Sequence, residues 1–192
     1  MSTASPPRTV AVLDSAVTWT HSCLQRARSS PLHLPTPCSD WDLGELLVHM
    51  DESLVAIAEA AEVGHVVVDP QSGPLPDTGQ LVDRVVQRAC RTRAAWQQRL
   101  TSAPVSVGDL PLGRDTVALV SALEIAVHGW DVAVATGQDR LLPEDLATRL
   151  YDVALAVVTP DERGQRFGPA VPVSDSAPTS ARLLGHLGRG SR

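Results

Sequence analysis

The chain has 192 residues, of which 43% are hydrophobic and 20% charged, and its formal net charge is −6 at pH 7. An acidic chain with one Tyr and one Phe lacks the basic face and the aromatic platform that nucleic-acid binding needs, so we expect no nucleic-acid partner. All 16 basic residues are Arg, which excludes Schiff-base chemistry on a lysine and a Walker P-loop.

Helical periodicity predicts a first helix from about Thr9 to Arg28, where Ser-Ser-Pro ends it. The proline-rich stretch HLPTPCSDW that follows cannot be helical. The second helix is predicted to begin at Asp42, because Asp42 as N-cap and Glu45 three residues later form a capping box. Gly64 is its expected end, and DPQSGPLPDTG is a loop.

The third helix is predicted over roughly Gly79–Leu100, and residues 101–114 are interpreted as an irregular connection. The fourth runs from Asp115 to Gly137 and is apolar nearly all round, as expected of a helix buried among its neighbours. A fifth covers PEDLATRLYDVALAVV and stops before Pro160. The tail is rich in Pro and Gly, with one short helical piece around Ser180–Leu187.

These elements predict an all-α fold, since no strand alternation is visible in the sequence. The interpretation is a four-helix bundle with an additional helix and an irregular C-terminal tail. We expect residues 1–160 to form the bundle and residues 161–192 to pack on it as an extension.

Glu124 and His128 on the fourth helix are four residues apart, so they share one face of that helix. Their neighbours are Val, Leu, Ile, Ala and Trp, which leaves little solvated face for either group. A buried carboxylate needs a cation or a hydrogen-bond network, and a divalent metal ion would meet that need.

His49 is the third candidate ligand, midway along the apolar stripe of the second helix. A single histidine in such a place is more often a core residue than a ligand. The polar pair on the fourth helix favours the ligand role, because metal sites in bundles are built from facing helices. Two His and one carboxylate leave a coordination position open, which is typical of catalytic zinc.

Two segments, PTPCSDWDLGELLVHM and LEIAVHGWDVAVATGQ, resemble the signature segments of the DinB-like metal-binding proteins of actinobacteria. More narrowly they resemble the N-terminal domain of mycothiol-dependent maleylpyruvate isomerase, and the ending ARLLGHLGRG resembles that of stand-alone members. The resemblance implies a four-helix bundle in which His49, Glu124 and His128 bind a divalent metal ion, zinc being the first candidate.

The resemblance also implies a low-molecular-weight thiol such as mycothiol as cosubstrate. A thiol at the open coordination position would ionise there and attack an electrophilic small molecule. The isomerase has a second, C-terminal domain that contributes to its active site and that these 192 residues do not include, so the resemblance implies metal binding but not the isomerase reaction itself.

Three classes of function therefore remain open. The first is a metal-dependent enzyme that uses an activated thiol in transferase or isomerase chemistry. The second keeps the metal but activates water, as a hydrolase or lyase of secondary metabolism. The third is a non-enzymatic bundle that binds a ligand.

Two further residues have candidate chemical roles. Asp131, three residues after His128, is the candidate catalytic group, since it could orient a ligand imidazole or act as a base; capping or a surface contact is an equal alternative. Cys38 precedes the second helix, where the helix dipole lowers a thiol pKa, but a structural thiol is the favoured interpretation.

The remaining expectations concern the cellular setting. The N-terminus lacks the pattern of a secretory signal, no apolar run approaches the roughly 20 residues of a membrane span, and the three Cys are widely spaced. We expect a cytoplasmic protein without membrane contact. The apolar fourth helix could support a homodimer.

Overall fold

Six helices and three short strands make up the described part of the chain. The structure, a computed structural model, describes residues 8–38, 41–66, 77–98, 104–107, 110–160, 163 and 167–190. The helices are α1 (Arg8–Ala27), α2 (Leu43–Glu62), α3 (Thr78–Gln98), α4 (Arg114–Ala135), α5 (Glu144–Val157) and α6 (Thr179–His186). The strands are β1 (His65–Val66), β2 (Val105–Val107) and β3 (Leu110–Leu112).

The first four helices form a bundle in which α1 and α2 each pack against both α3 and α4. Their apolar stripes meet in one core that includes fully buried Leu and Trp side chains. At Gly129 the backbone of α4 lies so close to α1 that an added Cβ would collide with Thr20, whose hydroxyl donates to the carbonyl of Ile125 at 2.9 Å. The predicted all-α bundle is confirmed.

The ends of the helices follow from local sequence. At the start of α2, the Glu45 N–H donates to Asp42 Oδ1 and the Asp42 N–H donates to Glu45 Oε2, both at 2.9 Å, so the predicted capping box is present. Gly64 and Gly137 follow the ends of α2 and α4 with φ of +80° and +68°. Those are left-handed conformations that glycine adopts without the steric cost other residues bear.

The expectation of no strands was wrong for the described residues. A three-stranded sheet has the order β1-β2-β3, with β1 parallel to β2 and β2 antiparallel to β3. Part of segment 101–114, interpreted as irregular, supplies β2 and β3, while residues 101–103 and 108–109 lie outside the described residues. Strands of two or three residues are too short to show an alternating pattern.

Helix α4 is the most buried element of the bundle. Its length and hydropathy alone would allow it to cross a membrane, but 78% of its most apolar stretch is buried inside the protein. It therefore has the character of the core helix of a soluble protein.

The C-terminal elements pack on the bundle through α5, which contacts α4, α1 and α6. The carboxylate of Glu144, at the start of α5, accepts from the backbone N–H groups of Thr179 and Ser180 at 2.8 and 3.1 Å. It thereby serves donors at the start of α6 that have no partner within that helix. The division into a bundle of residues 1–160 and a packed extension of residues 161–192 stays a prediction.

Candidate metal centre

Three side chains from two helices meet at the interface of α2 and α4. His49 comes from α2, and Glu124 and His128 come from α4. One ligand atom from each lies within 4.8 Å of the other two. The Oε1 atom of Glu124 is 2.7 Å from His49 Nε2 and 3.2 Å from His128 Nε2.

The local sequence explains why these groups converge. The four-residue spacing stacks Glu124 and His128 one turn apart on α4. Gly129 in α4 lets α1 approach closely, because an added Cβ there would collide with Thr20. His49, on the facing helix α2, brings its Nε2 within 2.7 Å of Glu124 Oε1.

The donor set suits a divalent transition metal. Two imidazole nitrogens and one carboxylate oxygen are the ligands that zinc accepts in catalytic sites. With metal–ligand bonds of about 2.0–2.1 Å, tetrahedral ligand atoms stand about 3.3 Å apart, close to the 3.2 Å between Glu124 and His128. Small side-chain movements would bring His49 to the same spacing, and one or more coordination positions would stay open.

A second carboxylate fixes the orientation of His128. Asp131 Oδ2 lies 3.0 Å from His128 Nδ1, and Asp131 is completely buried. With Nδ1 donating to this carboxylate, the lone pair of a neutral His128 is on Nε2, the atom that faces Glu124. This carboxylate–histidine arrangement is the one that orients metal-ligating imidazoles in proteins.

Arg189 from the C-terminal tail neutralises Asp131. Its Nη2 donates to Asp131 Oδ2 at 3.0 Å and its Nε donates to Oδ1 at 3.4 Å. Sequence reasoning missed this residue, because nothing in a tail rich in Pro and Gly marks one arginine as the partner of a helix 58 residues earlier. The one signal was the resemblance of the ending ARLLGHLGRG to family members.

The charged groups of the site shift one another's pKa values. Burial disfavours the charge of Glu124, but the two imidazoles, His128 above all, outweigh it and hold the pKa of this carboxyl well below its usual value. Burial likewise disfavours a charged His128, yet Glu124 and Asp131 raise its pKa to about 9. For Asp131, the hydrogen bond from His128 and the charge of Arg189 overcome burial and lower the pKa. The acidic groups thus attract positive charge at the position a cation would take.

An aromatic ring and a small void both lie beside the cluster. The ring of Trp41, just before α2, lies 4.3 Å from that of His49, centroid to centroid. The void, about 10 Å³, is lined by Met50, Ser53, Leu54, Glu124, Ile125 and His128. It holds about one water-sized group, and Ser53 Oγ lies 3.5 Å from His49 Nε2.

The structure brings all four sequence-predicted site residues together and leaves Cys38 outside the group of ligand atoms. Cys38 is half-buried in the loop before α2, within electrostatic reach of Arg189. The metal-ligand roles of His49, Glu124 and His128 and the catalytic role of Asp131 stay predictions.

The chain is similar to one protein family and to two mycobacterial relatives. A family model described as "Mycothiol maleylpyruvate isomerase N-terminal domain" matches residues 13–133, which include His49, Glu124, His128 and Asp131. Two relatives from Mycobacterium tuberculosis, "Uncharacterized protein MT0763" of strain CDC 1551 / Oshkosh and "Uncharacterized protein Rv0738" of strain ATCC 25618 / H37Rv, are each 29% identical over 174 residues. Each alignment covers 86% of this chain and 89% of the relative. No solved structure matches the chain significantly.

Proposed function

This chain belongs to the family of mycothiol maleylpyruvate isomerase N-terminal domains, and from that premise we propose that it is an enzyme dependent on one divalent metal ion, zinc being the first candidate. His49, Glu124 and His128 hold the metal, and a low-molecular-weight thiol such as mycothiol is the cosubstrate. The observation that carries the proposal is the convergence of the three ligand atoms within 4.8 Å at a helix interface.

A divalent metal bound here supplies a Lewis acid that lowers the pKa of a thiol at its open position. The chain's own residues prepare that position. Asp131 holds the imidazole of His128 with Nε2 toward the ligand cluster. Arg189 compensates the buried charge of Asp131, so Asp131 is a positioning residue. Its complete burial and its two partners disfavour the alternative role of a base that meets substrate.

The surroundings of the cluster favour a sulfur nucleophile. Met50, Leu54 and Ile125 give the adjacent void apolar walls, which suit a soft, weakly hydrated thiol better than a strongly hydrated group. Ser53 is the hydroxyl at that void. An ionised thiol would form a C–S bond to an electrophilic carbon of a small molecule. In a transferase, a leaving group would depart from that carbon with its bonding electron pair. In an isomerase, the electron pair of a conjugated C=C bond would shift onto the adjacent carbonyl group, and its return after rotation would expel the thiolate.

The experiment is a thermal-shift titration with mycothiol, glutathione and coenzyme A on metal-loaded and metal-free protein. We expect mycothiol to raise the melting temperature of the metal-loaded protein alone. In the cobalt-substituted protein, thiolate coordination would add a sulfur-to-metal charge-transfer absorption band. His49→Ala is expected to remove both signals, and His21→Ala, an exposed histidine on α1, is the matched control. A thiol response that does not depend on metal would contradict the proposal.

A hydrolase or lyase that activates water is the second candidate, because the void beside the cluster has the volume of about one water. It predicts that none of the three thiols shifts the melting temperature and that no charge-transfer band forms, while metal binding through His49 persists. The thermal-shift experiment therefore separates the two candidates.

A further inference from the structure

We propose that a second cavity, at the C-terminal end of α4, binds a small organic acid with an apolar body and one carboxylate. The cavity encloses about 360 Å³ between the end of α4, the following loop and the C-terminal tail. That volume lies at the lower end of the range of small-molecule binding sites. It is too large to be explained by a single ordered water.

The walls are mainly apolar. Trp130 and Val134 from α4, Leu141 from the loop, and Val173 and Leu184 from the C-terminal part line the cavity. Leu141 is 57% exposed, so one side of the cavity opens to solvent. Such walls favour a ligand with a hydrocarbon or aromatic body over an inorganic anion, which would gain nothing from them.

Arg189 supplies the first recognition element. Its guanidinium carries five N–H groups, of which three donate, two to Asp131 and one to the carbonyl of Leu187. Two N–H groups remain without an acceptor among the described residues, although the side chain is only 10% exposed. Because Arg189 lines the cavity, a ligand oxygen bound there could accept from these remaining N–H groups.

Arg140 supplies the second element. It also lines the cavity, and its guanidinium carbon lies 5.8 Å from the centre of the Trp19 ring. No described carboxylate forms an ion pair with it. Asp139 lines the cavity too, but it is exposed, so solvent screens its charge more than that of the half-buried Arg140. A carboxylate suits either arginine of the cavity lining, because its two oxygens match the guanidinium donors.

This site is separate from the proposed metal centre. The void beside His49, Glu124 and His128 and the cavity beside Arg140 share no lining residue. The two are linked through Arg189, which lines the cavity and pairs with Asp131. Organic-acid binding here does not require that a metal be present.

The test is isothermal titration calorimetry of the full chain with acetate, butyrate, benzoate and phenylacetate, with benzamide as the neutral counterpart of benzoate. We expect saturable binding of at least one of the larger acids at millimolar concentrations or below and none of benzamide. Arg140→Gln is expected to weaken it about 10-fold, as for a lost charged partner. The matched control, Arg149→Gln at an exposed position of α5, should leave it unchanged.

Filling the cavity gives an independent check. Ala181→Phe places a ring where α6 lines the cavity and should abolish binding, and Ala181→Leu replaces it if circular dichroism shows that the larger ring unfolds the chain. His49→Ala should retain binding, because the metal centre is not used. Binding that survives the filled cavity, that is lost in His49→Ala, or that is equal for benzamide would overturn the proposal, as would failure of every acid to bind.

Discussion

Two charged clusters each include one residue of α2, and these two residues, His49 and Asp51, are only two positions apart. The clusters differ in the helix they face and in how their charges are satisfied. His49 faces α4, where it meets Glu124 and His128. Asp51 points toward α3, where Arg84 Nε lies 3.0 Å from Oδ2 and Arg88 Nε lies 2.5 Å from Oδ1. The two-residue offset turns the side chains to different sides of the helix.

The clusters differ in how their charges are satisfied. Asp51 is 4% exposed, yet its Oδ1 accepts no hydrogen bond within the described residues despite the nearby Arg88. Burial raises the pKa of Asp51 and the two arginines offset this only in part. Asp131, in the other cluster, accepts from both His128 and Arg189, and its pKa is lowered. The α3 cluster (Asp51, Arg84 and Arg88) is an ordinary network of interhelical ion pairs. In the α4 cluster (His49, Glu124, His128 and Asp131), the lone pairs of the three ligand atoms converge on one point.

The largest expected effect is on the free energy of unfolding, which should fall much more when Asp131 is replaced than when Asp51 is replaced. In metal-free protein, Asp131→Asn should lower the free energy of unfolding by about 3 kcal/mol, because it leaves the buried guanidinium of Arg189 without its anion. Asp51→Asn should change it by less than about 1 kcal/mol in either direction, because Arg84 and Arg88 remain partly solvated. Urea unfolding followed by circular dichroism measures both. Equal losses would remove the distinction between the clusters.

The next effect concerns metal affinity. Asp131→Asn should weaken metal binding roughly 10- to 100-fold, as expected when a ligand imidazole loses its orienting carboxylate. Asp51→Asn should leave the affinity unchanged, although it alters an equally buried acid. Competition titration with a chromogenic chelator provides the dissociation constants. A comparable loss in both variants would mean that the whole bundle, and not the orientation of His128, sets the affinity.

The two aspartates should also respond to acid with opposite signs. The lowered pKa of Asp131 means that its contribution to stability is present above its unfolded value of about 3.9 and is lost as pH falls through the folded value. The raised pKa of Asp51 means that its ionised form costs stability, and acid removes that cost.

On acidification of metal-free protein, the stability advantage of the wild type over Asp131→Asn should therefore shrink, while the stability of the wild type relative to Asp51→Asn should rise. Urea unfolding at a series of pH values measures both differences. If both changed in the same direction, the contrast between the two acids would be wrong.

The smallest effect is expected at the exposed partners of Asp51. The side chains of Arg84 and Arg88 are 44% and 32% exposed, so each ion pair is weakened by solvent. Arg84→Gln and Arg88→Gln should each change the free energy of unfolding by less than about 1 kcal/mol. A loss near that of Asp131→Asn, measured in the same urea experiment, would show that the α3 cluster contributes as much as the α4 cluster.

The sequence predicted those parts of the molecule that depend on local spacing. Helix periodicity gave all six helices within a few residues, and the capping box at Asp42 and Glu45 marked the start of α2. The four-residue spacing predicted that Glu124 and His128 share one face of α4. The predicted ligand role of His49 depended on the expectation that α2 faces α4. Family resemblance then supported all three positions.

The parts that were missed depend on contacts between distant segments. The pairing of β1 with β2 joins residues about 40 positions apart, and neither strand is long enough to carry a pattern of its own. The ion pairs of Asp51 with Arg84 and Arg88 belong to the same class, because nothing in the local sequence of α3 shows that Asp51 lies opposite. Arg189 was missed for the same reason, since its role follows from where the tail packs.

The most direct test of the metal centre is the metal content of the purified chain, measured by inductively coupled plasma mass spectrometry after exchange into chelated buffer and reloading with zinc. We predict one zinc per chain in the wild type, in Asp51→Asn and in His21→Ala, and a loss of stoichiometric zinc in His49→Ala and Glu124→Gln. Zinc retained at one per chain in both of these last variants, with the fold intact by circular dichroism, would contradict the account.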